Sequence, residues 1–347
     1  MRIEHPLRAA FDLLVRKSPV EAQLVVIRRC NLSCGYCSEY DEHSAEVPYE
    51  VLCARIDAIH RLRAVNIALL GGEPLLHSRV DDLVRHAARR AQVSITTNAF
   101  LLDRTMIDRL GDAGLSNLQV SIDALRPDAS RYVQKTLRSL RPKLDRLAAH
   151  ARFDVHVTTV LCAETLADFE DLMRELGEYP FRISVNIVHD DRGQAVARGA
   201  AFVRAWERHF HEGRPFSFIE EDYGRRILSG ERPSWTCQAG ARFLYVGEDG
   251  TVELCSAQRG RIGKKITEYT ESDLEAHRGR PKGCEEGCSI LCVYRDSLLD
   301  NDPAALGLAM LRGLRAGAFR PRTPEPVAPA AGAPVRHLPI MMGPRGR

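Results

Sequence analysis

Three cysteines stand in one short run, Cys30-Asn31-Leu32-Ser33-Cys34-Gly35-Tyr36-Cys37, separated by three residues and then by two. Three thiolates are one short of the four that normally close a four-iron cluster. A cubane held by three leaves one iron open, and an open iron can bind and activate a small molecule. A structural zinc more often takes a two-residue gap plus a distant second pair. Five more cysteines crowd the last third of the chain: Cys237, Cys255, Cys284, Cys288 and Cys292. One closed four-iron cluster takes four ligands and two take eight, so five suit a single auxiliary [4Fe-4S] cluster with one cysteine over. A structural zinc is the competing reading of this second group. Cys53, in a predicted helix, and Cys162, at a strand end, read as buried structural residues.

The elements that must position these residues follow an alternating pattern. Short apolar β-branched runs predict strands at 23–28, 66–70, 93–97, 117–122, 153–161 and 181–188. Amphipathic stretches predict helices at 49–63, 79–90, 103–113, 142–151, 166–176 and 195–210. Strands alternating with helices imply an α/β fold with a parallel sheet and right-handed crossovers. Six units are too few for a full eight-stranded barrel. A helix is expected at 216–228. Two β runs around Gly247-Glu248-Asp249-Gly250 then read as a hairpin, with Cys237 before it and Cys255 at its end. Cys284, Cys288 and Cys292 are four apart, which predicts one face of a helix or turn.

The first cysteine run follows the strand at 23–28. The second strand ends in Gly71-Gly72-Glu73-Pro74, and Gly71 lies 34 positions after Cys37. Cys-x3-Cys-x2-Cys after one strand and Gly-Gly-Glu-Pro after the next resemble the radical S-adenosylmethionine (radical SAM) enzymes. That resemblance implies a partial (β/α)6 TIM-like barrel with chemistry at the C-terminal ends of its strands. It implies that Cys30, Cys34 and Cys37 hold a [4Fe-4S] cluster whose open iron binds the methionine end of S-adenosylmethionine (SAM). Gly71, Gly72, Glu73 and Pro74 would hold the SAM amino group, and Tyr36 would contact adenine. Asn98, Ser121 and Asp123 would approach the ribose or carboxylate, although Asp123 reads equally well as a cap. Arg131, Lys135 and Arg138 compete for the SAM carboxylate. Cys237, Gly250 and Cys255 resemble the start of the SPASM and twitch extensions, which carry auxiliary clusters. A full SPASM domain has seven cysteines, and this C-terminal region has five. Cys237, Cys255, Cys288 and Cys292 are the expected auxiliary ligands, with Cys284 the spare or substitute.

The expected organisation is a helical segment at 1–22, the partial barrel at 23–212, a small cysteine-rich α+β extension at 213–302 and a basic Pro/Ala/Arg-rich disordered tail at 303–347. The chain has 347 residues, 44% hydrophobic and 27% charged, with net charge +3. From Pro303 onward seven Arg face one Glu, so that region carries +6 and the remainder −3. A body that is not basic argues against nucleic acid as the main partner. No apolar run approaches the ~18 residues of a membrane span, and no signal peptide is evident. Ten cysteines in a chain read as cytoplasmic point to metal or redox chemistry. No Ser/His/Asp set, phosphate loop or His triad offers another chemistry, and no catalytic acid or base is assigned. His189-Asp190-Asp191 is placed on the substrate side.

The expected activity is SAM cleavage followed by hydrogen abstraction from a small molecule or metabolite. An auxiliary cluster makes a two-electron oxidation attractive, with an electron donor such as flavodoxin or ferredoxin. Peptide maturation, adenosyl transfer to a lipid alkene (Gly71 to His77 also looks like the hopanoid adenosyltransferases) and a non-enzymatic iron–sulfur or zinc protein are the alternatives.

Overall fold

A computed structural model describes residues 6–37, 39–127 and 134–315. Six β/α units occupy the expected places. The strands are β1 (Glu21–Ile27), β2 (Asn66–Gly71), β3 (Gln92–Thr97), β4 (Asn117–Ser121), β5 (Asp154–Leu161) and β6 (Arg182–Ile187), each paired in parallel with the next. The alternation of side chains explains why they form a layered structure. Leu24, Val26, Ile67, Leu69, Ile95, Val120 and Val157 project to the helix side and are fully or almost fully buried there. Each such side chain contributes roughly 1.5–3 kcal/mol on leaving water. The other face is polar: Asn66 reaches Glu21 and Ser94, Gln119 meets His156, and Asn186 bonds Thr158.

The helices covering the apolar face are α2 (Tyr49–Arg61), α3 (Val80–Ala87), α4 (Arg104–Asp112), α5 (Leu137–His150), α6 (Phe169–Leu176) and α7 (Ala200–Glu212), with α1 (Pro6–Leu14) ahead of the sheet. Helix α5 begins five residues before the expected start at Pro142. Thr136, fully buried, caps it by accepting from the Ser139 amide, and Leu137, Leu140, Leu144 and Leu147 form one buried stripe. That stripe outweighs the hydrogen bond lost at Pro142, which sits inside the helix. Helix α8 (Glu221–Leu228) is shorter than expected.

The extension is continuous with the barrel sheet. The expected hairpin forms as β7 (Phe243–Val246) and β8 (Thr251–Glu253), followed by β9 (Lys264–Lys265). Strand β7 pairs in parallel with β1, Gln23 opposite Tyr245, giving the order β6-β5-β4-β3-β2-β1-β7-β8-β9. Strand β6 is therefore an edge, and the six-unit barrel is open. Helices α9 (Glu271–His277), α10 (Leu291–Asn301) and α11 (Pro303–Arg315) follow. Helix α11 stands where the disordered tail was expected to begin, because Pro303-Ala304-Ala305-Leu306 opens with a proline at the first helical position followed by strong helix formers. Residues 316–347 lie outside the described residues. Buried Arg242 locks the extension in place: it donates to both carboxylate oxygens of Asp300 at 2.8 and 2.5 Å and to the carbonyls of Leu13 and Ser18. No helix of the described residues is long and apolar enough to cross a membrane.

Candidate functional site

The cysteine loop leaves the C-terminal end of β1. The Cys30 amide donates to Asp41 O at 2.9 Å and the Asp41 amide to Arg28 O at 3.0 Å, which closes the base of the loop. Cys34 is buried, Cys30 half-buried and Cys37 exposed. The amides of Leu32 (3.4 Å) and of the Asn98 side chain (3.7 Å) point at the Cys30 sulfur. Donors of this kind stabilise a thiolate and set the potential of any cluster it holds. Burial pushes the half-buried Cys30 thiol above its ordinary pKa, so a metal must displace its proton to bind.

Gly71 and Gly72 end β2 against this loop. A Cβ on Gly71 would lie 1.9 Å from Ile27 O, and one on Gly72 would lie 2.2 Å from Arg28 O. Both glycines are thus required by the close approach of β2 to the end of β1, whatever ligand they also meet. Glu73 is fully buried. Its carboxylate accepts from the Leu75 amide (3.0 Å), the Thr97 hydroxyl (2.8 Å) and the Asn98 amide (2.7 Å). Burial raises its pKa, opposed by those bonds. Glu73 therefore welds β2 to β3 and presents Asn98, while Pro74 starts a 3-10 turn.

Asp123, just past β4, has no exposed side-chain surface. It accepts from the Tyr36 hydroxyl, the Lys135 ammonium (2.9 Å) and the Val160 amide (3.0 Å). Its oxygens are taken by protein donors, and it anchors Tyr36 and Lys135 at the end of β4. Tyr36 is likewise turned to Asp123, and burial followed by the Asp123 charge raises its pKa. Of the three competing cations, Lys135 stands at the site, with Nζ 5.2 Å from the centre of the Tyr36 ring. Burial acts to lower its pKa, but the Asp123 charge and hydrogen bond together with the neighbouring Cys34 and Cys37 sulfurs raise it above the ordinary lysine value. Arg138 is exposed on α5, and Arg131 lies outside the described residues. Ser121 is buried at the end of β4. His189 bonds the Asp190 carbonyl and meets none of these groups.

The second cysteine group surrounds a small, largely enclosed cavity. Cys237, Cys255, Cys284 and Cys288 line it, with Trp235, Lys282 and Glu285. Cys292 does not. It sits on the first turn of α10, 3.9 Å from the Gln23 side-chain amide of β1. Of the expected set Cys237, Cys255, Cys288 and Cys292, the first three line the cavity; Cys284, expected as the spare, lines it too, and Cys292 does not. Residues 284–290 form a turn, one of the two expected forms, which brings Cys284 and Cys288 to the cavity while Cys292 lies beyond it on α10. The Trp235 indole bonds Glu285 O at 3.0 Å, the Gln194 amide bonds Cys284 O at 2.9 Å and the Tyr223 hydroxyl bonds Cys288 O at 2.7 Å. Gly287, at φ +79°, permits the turn. Burial pushes Cys237 up to about 12 and Cys255 up to about 11, and raises Cys288 as well.

Among the described residues no three His, Cys, Asp or Glu side chains converge closely enough to share one metal ion. Both groups are sets of cysteine thiols, the ligand chemistry that iron–sulfur clusters take.

A profile described as the Radical SAM superfamily matches residues 24–176. Similar sequences are GTP 3',8-cyclases of Microcystis aeruginosa (36% identical, covering 30% of this chain and 35% of the relative), Chlorobaculum tepidum (32%; 44% and 49%) and Mycobacterium tuberculosis (27%; 60% and 60%). The matched segments thus span between a third and three fifths of those relatives. Among solved structures, Streptococcus suis SuiB bound to precursor peptide SuiA aligns with TM-score 0.58 at 14% identity, over 87% of this chain and 70% of that one. The anSMEcpe structure with bound AdoMet and Kp18Cys peptide aligns with TM-score 0.55 at 15% identity, over 84% and 99%. These likenesses share the fold. With its cysteine loop after β1, its Gly-Gly-Glu-Pro after β2 and the matched profile running from β1 through α6, the barrel region of this chain is a domain of the Radical SAM superfamily.

Proposed function

We propose that the protein catalyses a two-electron oxidation of a hydrogen-bonding small molecule. The observation that carries this reading is the cavity ringed by four cysteines beside the three-cysteine loop: four ligands close a cluster and suit it to electron transfer rather than to binding substrate. When bound, SAM on the first cluster supplies a 5′-deoxyadenosyl radical that takes a hydrogen atom from the substrate, and the second cluster supplies an acceptor for the electron left behind. Cys30, Cys34 and Cys37 would hold the first cluster, and Cys237, Cys255, Cys284 and Cys288 the second. Asn98 and Ser121 would approach SAM, with the Gly71–Gly72 backbone at its amino group. Lys135 offers the positive charge for its carboxylate. A flavodoxin- or ferredoxin-like donor would supply the starting electron.

The relatives named GTP 3',8-cyclase raise a nucleotide substrate as a second reading. A triphosphate is usually gripped by Arg and Lys. The polar sheet face instead carries Gln23, Ser94, Gln119, Thr158 and Asn186, and the nearby Arg295 is paired with Glu21 and Asp296. Those amide and hydroxyl side chains suit a hydroxyl- or amide-bearing substrate. Anaerobic reconstitution tests the proposal. About eight irons per chain and 5′-deoxyadenosine formation support it, whereas zinc without SAM cleavage, or conversion of GTP, contradicts it. Normal substrate turnover by a Cys255→Ala protein that keeps its first cluster would also sink it.

A further inference from the structure

Glu39 stands two residues after Cys37 and is gripped by three donors from three parts of the chain. Its Oε2 accepts from the Tyr245 hydroxyl of β7 at 2.5 Å, from Arg259 at 2.8 Å and from Arg28, beyond β1, at 3.2 Å. Arg259 lies four residues after Cys255 and also donates to the Tyr245 oxygen at 2.9 Å. Its guanidinium stands 5.4 Å from the centre of the Tyr245 ring. Glu248, in the hairpin turn, comes within 3.8 Å of Arg28 and 3.9 Å of Arg259 and completes a set of two cations and two anions. Tyr245 is 1% exposed and packs in the same small core as Cys237 and Cys255. The Glu39 carboxylate also lies within electrostatic reach of both Cys37 and Cys255.

The three-cysteine loop is therefore joined to the second cysteine site through one carboxylate. We infer that Glu39 is a positioning residue that clasps the SAM-side cysteine loop to the hairpin and the Cys255 loop, fixing the separation of the two sites and placing one negative charge between them. Charge-assisted bonds to a partly buried carboxylate are stronger than an exposed ion pair, so the clasp is more than surface decoration. The inference rests on the reading that both cysteine groups hold clusters.

The test compares Glu39→Gln and Glu39→Ala in the reconstituted protein. Glutamine keeps an oxygen that accepts from Tyr245 and the arginines but carries no charge; alanine removes the clasp. EPR-monitored redox titration should show Glu39→Gln raising the midpoint potentials of both clusters at unchanged iron content, because a lost negative charge favours the reduced cluster. Hydrogen–deuterium exchange should show Glu39→Ala speeding amide exchange in residues 30–37 and in 255–261 together, by about tenfold, with Glu39→Gln near wild type. A Glu39→Gln protein in which neither potential or only one moves overturns the inference, as does a Glu39→Ala protein loosened in one loop alone. If wild-type protein holds only one cluster, the cluster reading fails, and the exchange experiment still decides the clasp.

Discussion

Cys37 is exposed on a loop that touches the rest of the protein mainly through hydrogen bonds, whereas Cys237 and Cys255 are buried behind Trp235 and the hairpin. The loop cysteines sit at the C-terminal ends of the first barrel strands, next to Asn98 and Lys135. The cavity cysteines are walled by Ile290, Leu254 and Val293. On the proposed reading, one region would keep a cluster face open to a ligand and the other would close its cluster off. The same residue type thus serves two purposes, set by ligand count and access.

The largest expected effect separates the regions outright. Cys34→Ala should bring 5′-deoxyadenosine formation to background while the cavity still takes up about four irons. Conversely, Cys284→Ala should lose those cavity irons and keep SAM cleavage, and Cys292→Ala should lose none; an iron count on each protein decides. If Cys292→Ala loses the iron and Cys284→Ala does not, the cavity assignment is wrong.

Alkylation of the metal-free protein probes the same contrast through pH. A thiol with its pKa pushed up to about 11 is thiolate in roughly one part in a thousand at pH 8. Cys37 should react with iodoacetamide first, and Cys255 and Cys237 last. Because only the thiolate attacks, their rates should climb about tenfold per pH unit from pH 8 towards pH 11, as read by peptide mass spectrometry.

Gly72→Ala should destabilise the protein by about 3 kcal/mol, since its Cβ would collide with the Arg28 carbonyl. Thermal unfolding measures the loss, and cluster uptake should fail at the loop before the cavity. Tyr36→Phe, which removes one donor from Asp123, should cost about 1 kcal/mol and slow SAM cleavage mildly while leaving the second cluster's EPR signal unchanged.

The loop was legible in the sequence because local patterns determine it: a β-branched run, a fixed cysteine spacing and two glycines that only a close strand approach requires. The second site was legible only as a cluster of cysteines. Choosing Cys284 over Cys292 depends on Trp235, Gln194 and Tyr223 bending 284–288 around the cavity, and those contacts cross 50 to 90 positions of chain. Asp123 and Glu73 looked like ligand-facing carboxylates, yet the fold surrounds both with its own donors. Lys135 could not be separated from its basic neighbours until Thr136, by capping α5, fixed where that helix starts. The clasp at Glu39 gave no sequence signal, since nothing local relates it to Tyr245 or Arg259.

EPR of the dithionite-reduced, reconstituted protein, recorded without and with SAM, is the most direct measurement of the contrast between an open and a closed cluster. The expected result is two reduced clusters, with SAM changing the signal of one and leaving the other as it was. A single cluster, or two signals that both respond to SAM, would contradict it.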